Sequence, residues 1–176
     1  MNIDNFDKAQ LEARAEILNP LNPYLAELHD KVQQEFIEYL DNIIARPNIR
    51  TDKWQIGYMQ NNIFLSKLIP KECVVVDVGC GFGFQQILFK DHQKYIGIQQ
   101  FLDWNMGGEG IELKTFIPNA FFEQGWFRDK ISIFKKYKGS QEVFGIANIS
   151  LLSHIGKSNE VDLKLFNEYF IRKFVV

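Results

Sequence analysis

Residues 74–86 read VVVDVGCGFGFQQ, and the fold turns on how this stretch is read. Residues 73–78, CVVVDV, form a short continuous apolar run, as a strand does when both of its faces are covered. Glycines follow at 79, 81 and 83, and a segment with helical spacing comes next at about 83–91. Glycine lets the backbone bend sharply and has no Cβ to hold a ligand away, while the free N–H groups of a following helix point to the same spot. The turn is therefore expected to cradle a nucleotide-like ligand. The dinucleotide fingerprint G-x-G-x-x-G is not met, because Phe84 stands at its third glycine and Gly83 comes one residue early. That weighs against NAD.

Working outward, KYIGI at 94–98 reads as the next strand, IELKTFI at 111–117 as a third and EVFGIANI at 142–149 as a fourth. Helical segments lie between several of them. The alternation predicts an α/β fold with a mostly parallel sheet covered on both faces, over residues 71–176. Residues 1–70 form an expected N-terminal helical cap. Its first helix, 5–18, is interrupted by NPLNP at 19–23. From Leu21 a stripe through Leu25, Leu28, Val32, Phe36, Leu40 and Ile43 marks one long helix closed by Pro47, and a third helix covers about 53–69.

A chain of 176 residues with 46% hydrophobic content suits one globular domain with a short appended element. Twenty Lys plus Arg against 22 Asp plus Glu give a net charge of −2, so no bulk attraction to nucleic acid or anionic lipid is encoded. The amino terminus MNIDNFDKAQLEARAEIL is charged throughout, and no apolar run approaches the roughly 18 residues of a membrane span. A cytoplasmic protein without a membrane partner is expected. Cys73 and Cys80 fit no metal spacing and flank the turn too closely for a useful disulfide. Reduced thiols and no metal are expected.

The stretch VVVDVGCGFG resembles the first motif of the Rossmann-like S-adenosylmethionine-dependent methyltransferases, where an acid at the strand end precedes G-x-G-x-G. The likeness covers about residues 53–172, with VFGIANISLLSHI as its second strong segment. It implies S-adenosylmethionine as cofactor, with Asp77 and the glycines Gly79, Gly81 and Gly83 facing its methionine part and Cys80 set among them. In that family an acid ending the second strand holds the ribose hydroxyls and an acid after the third strand meets the adenine. Gln99 and Asn119 stand at those two places, with Ala120 beside the latter, and Asn148 ends the fourth strand among the expected cofactor contacts.

An amide offers one acceptor and a donor where a carboxylate offers two acceptor oxygens, so one ribose bond is lost or reversed at Gln99. Stacking by Phe121 or Phe122, or ribose contact from Asp103, would compensate. After the fourth strand VDLKLFNEYFIRKF reads as a helix and only VV remains, so the sheet is expected to be C-terminally shortened. Three alternatives stay open: an exposed edge at the fourth strand, a remnant member of the family, or a partner chain that completes the sheet. The apolar edge of the fourth strand is expected to be covered, either by the terminal KFVV pairing in parallel after the helix or by the same region of a second subunit, and a homodimer built on residues 142–149 and 161–176 is the favoured expectation.

Methyl transfer needs mainly a nucleophile placed in line with the sulfonium methyl, and a base is optional. His154, after the fourth strand, and Tyr58, on the helix before the first, are the candidate catalytic residues. ANIS at the fourth-strand end lacks the D/N-P-P-Y/F pattern of the enzymes that methylate nucleic-acid amino groups. The expected function is methylation of a small molecule. The alternative is a non-catalytic, degenerate relative that serves as a binding or assembly module.

Overall fold

Val74–Val78 (β1) is buried along its whole length and lies at the centre of a five-stranded, all-parallel sheet, as its apolar run requires. The computed structural model describes residues 6–46, 54–99, 112–135, 142–147, 157–170 and 172–175. The other strands are Lys94–Gln99 (β2), Ala120–Gln124 (β3), Val143–Ala147 (β4) and Arg172–Val175 (β5), in the order β3-β2-β1-β4-β5. The α-helices are Lys8–Leu25 (α1), Asp30–Ile44 (α2), Trp54–Leu68 (α3), Ile131–Phe134 (α4) and Lys157–Tyr169 (α5). The chain is an α/β protein with a parallel sheet, compatible with a Rossmann-like architecture.

Side chains alternate across the sheet and feed two cores. On one face Val75, Tyr95, Ala120, Phe144 and Ile146 pack with buried residues of α1, α2 and α3. On the other Val76, Ile96, Ile98 and Ala147 pack with Phe127, Phe134, Phe166 and Phe170. The expected cap thus joins the first core. Lys90 Nζ, just after the 3-10 helix Phe84–Phe89, reaches Glu27 Oε2 between α1 and α2 at 2.7 Å, and Tyr39 Oη of α2 donates to the Phe82 carbonyl in the glycine turn at 3.1 Å.

Five expectations on the elements need correction. α1 runs through Pro20 and Pro23 instead of breaking at them. Each interior proline costs about 3 kcal/mol, whereas burial of Ile17, Leu18, Leu21 and Leu25 contributes about 1.5–3 kcal/mol apiece. The long helix expected from Leu21 is instead split, with His29 capping the start of α2. The segment after the turn forms a 3-10 helix, Phe84–Phe89, in place of an α-helix.

The third strand lies at Ala120–Gln124 and not at 111–117. Phe116 and Ile117 are buried in the first core, but the backbone there bonds to Gln86 and not to a strand. Finally, β5 pairs with β4 from Phe144↔Arg172 to Ala147↔Val175, so a strand of the same chain covers the edge that suggested a C-terminally shortened sheet. That removes the reason given for a homodimer.

Candidate functional site

The strands after β1 proceed to one side through β2 and β3, and β4 and β5 lie on the other, so the order reverses beside β1. Open α/β sheets bind ligands outside the carboxyl ends of the strands at such a switch point. The glycine turn stands there. Gly79, Gly81 and Gly83 have φ of 86°, 57° and 72°, in the left-handed region that a side chain makes costly. This is why the sequence needs glycine at alternate positions.

The turn is held by its own surroundings. The Gly79 and Cys80 N–H groups donate to the Ile98 carbonyl at 2.7 and 3.1 Å, and Gly83 N–H donates to the Cys80 carbonyl at 3.0 Å. Gly81 N–H differs: it donates to the side-chain oxygen of Gln99, Oε1, at 2.9 Å. Beneath them Asp77 is fully buried, and its Oδ2 accepts from Gln85 Nε2 and from Tyr95 Oη, both at 2.7 Å. Burial pushes the Cys80 thiol up, and the neighbouring Asp77 charge pushes it further, so it is a poor nucleophile. Burial also pushes the Tyr39 phenol up, with a smaller contribution from Cys80. That keeps it neutral and able to donate to Phe82.

The glycines differ in what surrounds them. A Cβ at Gly83 would lie 2.6 Å from the Phe122 ring, and one at Gly97 would lie 2.7 Å from the same ring and 2.8 Å from Cys80 Sγ. At Gly81 a Cβ would meet nothing within 4 Å among the described residues. Phe122, which faces Gly97 across β2 and β3, therefore fills the space on one side of the turn, while Gly81 borders open space. Phe121 carries the Lys94 ammonium 3.9 Å from its ring centroid. Neither phenylalanine is disposed as the base-stacking residue considered above.

Asn119 and Ala120 stand elsewhere. With β3 starting at Ala120, they belong to the amino end of the sheet, opposite the glycine turn. Asn119 Nδ2 donates to the carbonyls of Phe89, Lys90 and His92 at 3.3, 3.2 and 2.6 Å, tying off the 3-10 helix. The residues that follow β3 at the glycine-turn end are Gly125 and Trp126, the latter with Arg128 over its ring. His92 is also buried at the amino end. Its Nε2 donates to the Ile69 carbonyl at 3.1 Å, and desolvation, with the Lys71 charge, lowers its pKa to about 4.

Reading by sequence missed the glutamines of the motif. The expected α-helix with free N–H groups is absent, and Gln85 and Gln86 do the holding instead. Gln85 Nε2 bonds Asp77 and the Cys80 carbonyl, both at 2.7 Å. Gln86 Nε2 donates to Gly83 and Lys114 carbonyls at 3.0 and 2.9 Å, and its Oε1 accepts from Phe116 N–H at 2.7 Å. Both are buried, and a buried amide must be satisfied, so two glutamines inside an apolar segment were the available signal.

His154, Asn148, Asp103 and the Tyr58 side chain lie outside the described residues. Among the described residues no cluster of His, Cys, Asp or Glu could hold a metal ion, and no helix is long and apolar enough to cross a membrane. Compared with protein-family models and with curated proteins, the chain matches none.

Proposed function

We propose that the chain binds S-adenosylmethionine over the glycine turn and transfers its methyl group to a small molecule in the cytoplasm. The observation that carries this reading is Gly81: a left-handed glycine at the switch point, with no described residue within 4 Å of where a side chain would start. When bound, S-adenosylmethionine supplies an electrophilic methyl on its sulfonium sulfur. The chain's part is to hold the turn rigid through Asp77, Gln85 and Tyr95, and to admit the ligand's edge at Gly81. His154 and Tyr58 remain the proposed residues for the acceptor side. Calorimetric titration with S-adenosylmethionine and S-adenosylhomocysteine tests the reading: micromolar binding is expected, and no heat from either compound overturns it.

A second reading, a non-catalytic binding or assembly module, is favoured by one contact. Gln99 Oε1 already accepts from Gly81 N–H, and Asn119 is committed to the far end of the sheet. Under this reading the titrations are silent while the protein stays folded.

A further inference from the structure

The N–H groups at Gly79, Cys80 and Gly83 are bound by main-chain carbonyls of Ile98 and Cys80. Releasing any of them means moving β2 or remaking the turn. The Gly81 N–H is held by a side chain, at the last residue of β2, and Gln99 is only half-buried. A glutamine releases such a bond by rotating about its own single bonds, with no backbone movement. The released donor is at Gly81, where a Cβ would meet nothing within 4 Å among the described residues.

We infer that Gln99 is a self-ligand of the glycine turn: its amide oxygen holds the Gly81 N–H where a ligand's acceptor would sit, and the ligand must displace it to bind. This rests on the cofactor reading above and deepens it, because it makes Gln99 the residue that sets affinity and selects a ligand with a hydrogen-bond acceptor at that point. Such acceptors lie in two parts of one ligand, the nucleoside with its ribose hydroxyls and adenine ring nitrogens, and the amino-acid carboxylate. Adenosine has only the first of these and S-adenosylhomocysteine has both.

The test uses the full chain, Gln99→Ala and Gln99→Asn, whose amide is too short to reach Gly81. Binding of S-adenosylhomocysteine and of adenosine is measured by calorimetry, and exchange of the Gly81 amide proton is followed by NMR without ligand. Removing a competing neutral hydrogen bond should tighten S-adenosylhomocysteine by about threefold to tenfold in both variants and speed Gly81 exchange. Tightening of adenosine by the same factor identifies the nucleoside as the displacing group, and tightening of S-adenosylhomocysteine alone identifies the carboxylate. Weaker or unchanged binding in variants that fold overturns the self-ligand role while leaving the cofactor reading intact, as does unchanged Gly81 exchange. If none of the three proteins binds either compound, the cofactor reading falls and the self-ligand role falls with it.

Discussion

The two ends of the parallel sheet are both closed by buried amides, but they are closed differently. At the amino end Asn119 spends its amide nitrogen on three carbonyls, and His92 and Asn119 each keep one buried polar atom, Nδ1 and Oδ1, without a partner. Around it lie Phe89, Tyr95 and Ile69, all fully buried. At the carboxyl end Gln85 and Gln86 lock the turn from below, while Gln99 holds Gly81 from the side that borders open space. The same chemistry makes one end rigid and gives the other a single bond that can be exchanged. Only the second arrangement leaves room for a ligand.

The largest effect is expected at the rigid end. Asn119→Asp replaces a donor by a carboxylate that faces three carbonyl oxygens from a half-buried position. A loss of about 3–5 kcal/mol in urea unfolding is expected, against about 1–3 kcal/mol for Asn119→Ala. If Asn119→Asp unfolds within 1 kcal/mol of wild type, in the range of ordinary surface changes, the amino end is not the fixed end.

Next comes the turn. Gly83→Ala adds a methyl 2.6 Å from Phe122 and forces a left-handed φ on alanine, so about 2–4 kcal/mol should be lost. Gly81→Ala carries the φ cost alone, about 1 kcal/mol, because its Cβ enters open space. Thermal unfolding of the two variants side by side checks this, and equal losses would mean that the turn is uniformly tight and has no open side.

These two predictions also show what was legible in the sequence. β1, β2 and β4 were readable because strands buried on both faces must be apolar throughout, and the glycine turn because left-handed backbone demands glycine. β3 was misplaced because IELKTFI alternates as a strand does, whereas AFFEQ, with Phe121 exposed and Glu123 at its edge, does not look buried. Its true position is fixed by pairing with β2, which is a non-local fact. The error carried Asn119 into the site when it belongs to the opposite end. The helical spacing of VDLKLFNEYFIRKF runs on into β5, while the need to cover an apolar fourth strand pointed to KFVV or to a second subunit, and the pairing with β4 decides for the strand of the same chain. The turn was legible in the candidate site, but the uses of Gln85, Gln86 and Gln99 depend on which atoms the fold brings within reach.

The amino end also gives a pH signature. His92 has a folded pKa lowered to about 4 from an ordinary value of 6.5, so the unfolded chain binds its proton first as pH falls. Stability from this group is complete above pH 6.5 and declines as pH drops toward 4, by about 2 kcal/mol at pH 5. Urea midpoints at pH 7 and pH 5, for wild type and His92→Gln, isolate the contribution. A pH dependence identical in both proteins would show that His92 is not the buried neutral group.

The smallest expected effect is the one that bears most on function. Gln99→Ala removes the neutral hydrogen bond to Gly81 N–H from a half-buried side chain, and that N–H then faces space that no described residue fills. The cost to folding should be about 0.5–1 kcal/mol. Gln86→Ala, by contrast, strips partners from Gly83, Lys114 and Phe116 in a fully buried place and should cost several times as much. The ratio matters because an exchangeable contact must be cheap to break: a bond worth about 1 kcal/mol is open often enough for a ligand to compete, whereas one worth 4 kcal/mol is open about once in a thousand molecules. Chemical denaturation of the two variants measures that ratio. A Gln99→Ala loss as large as that of Gln86→Ala would place Gln99 among the structural amides and make the two ends of the sheet alike.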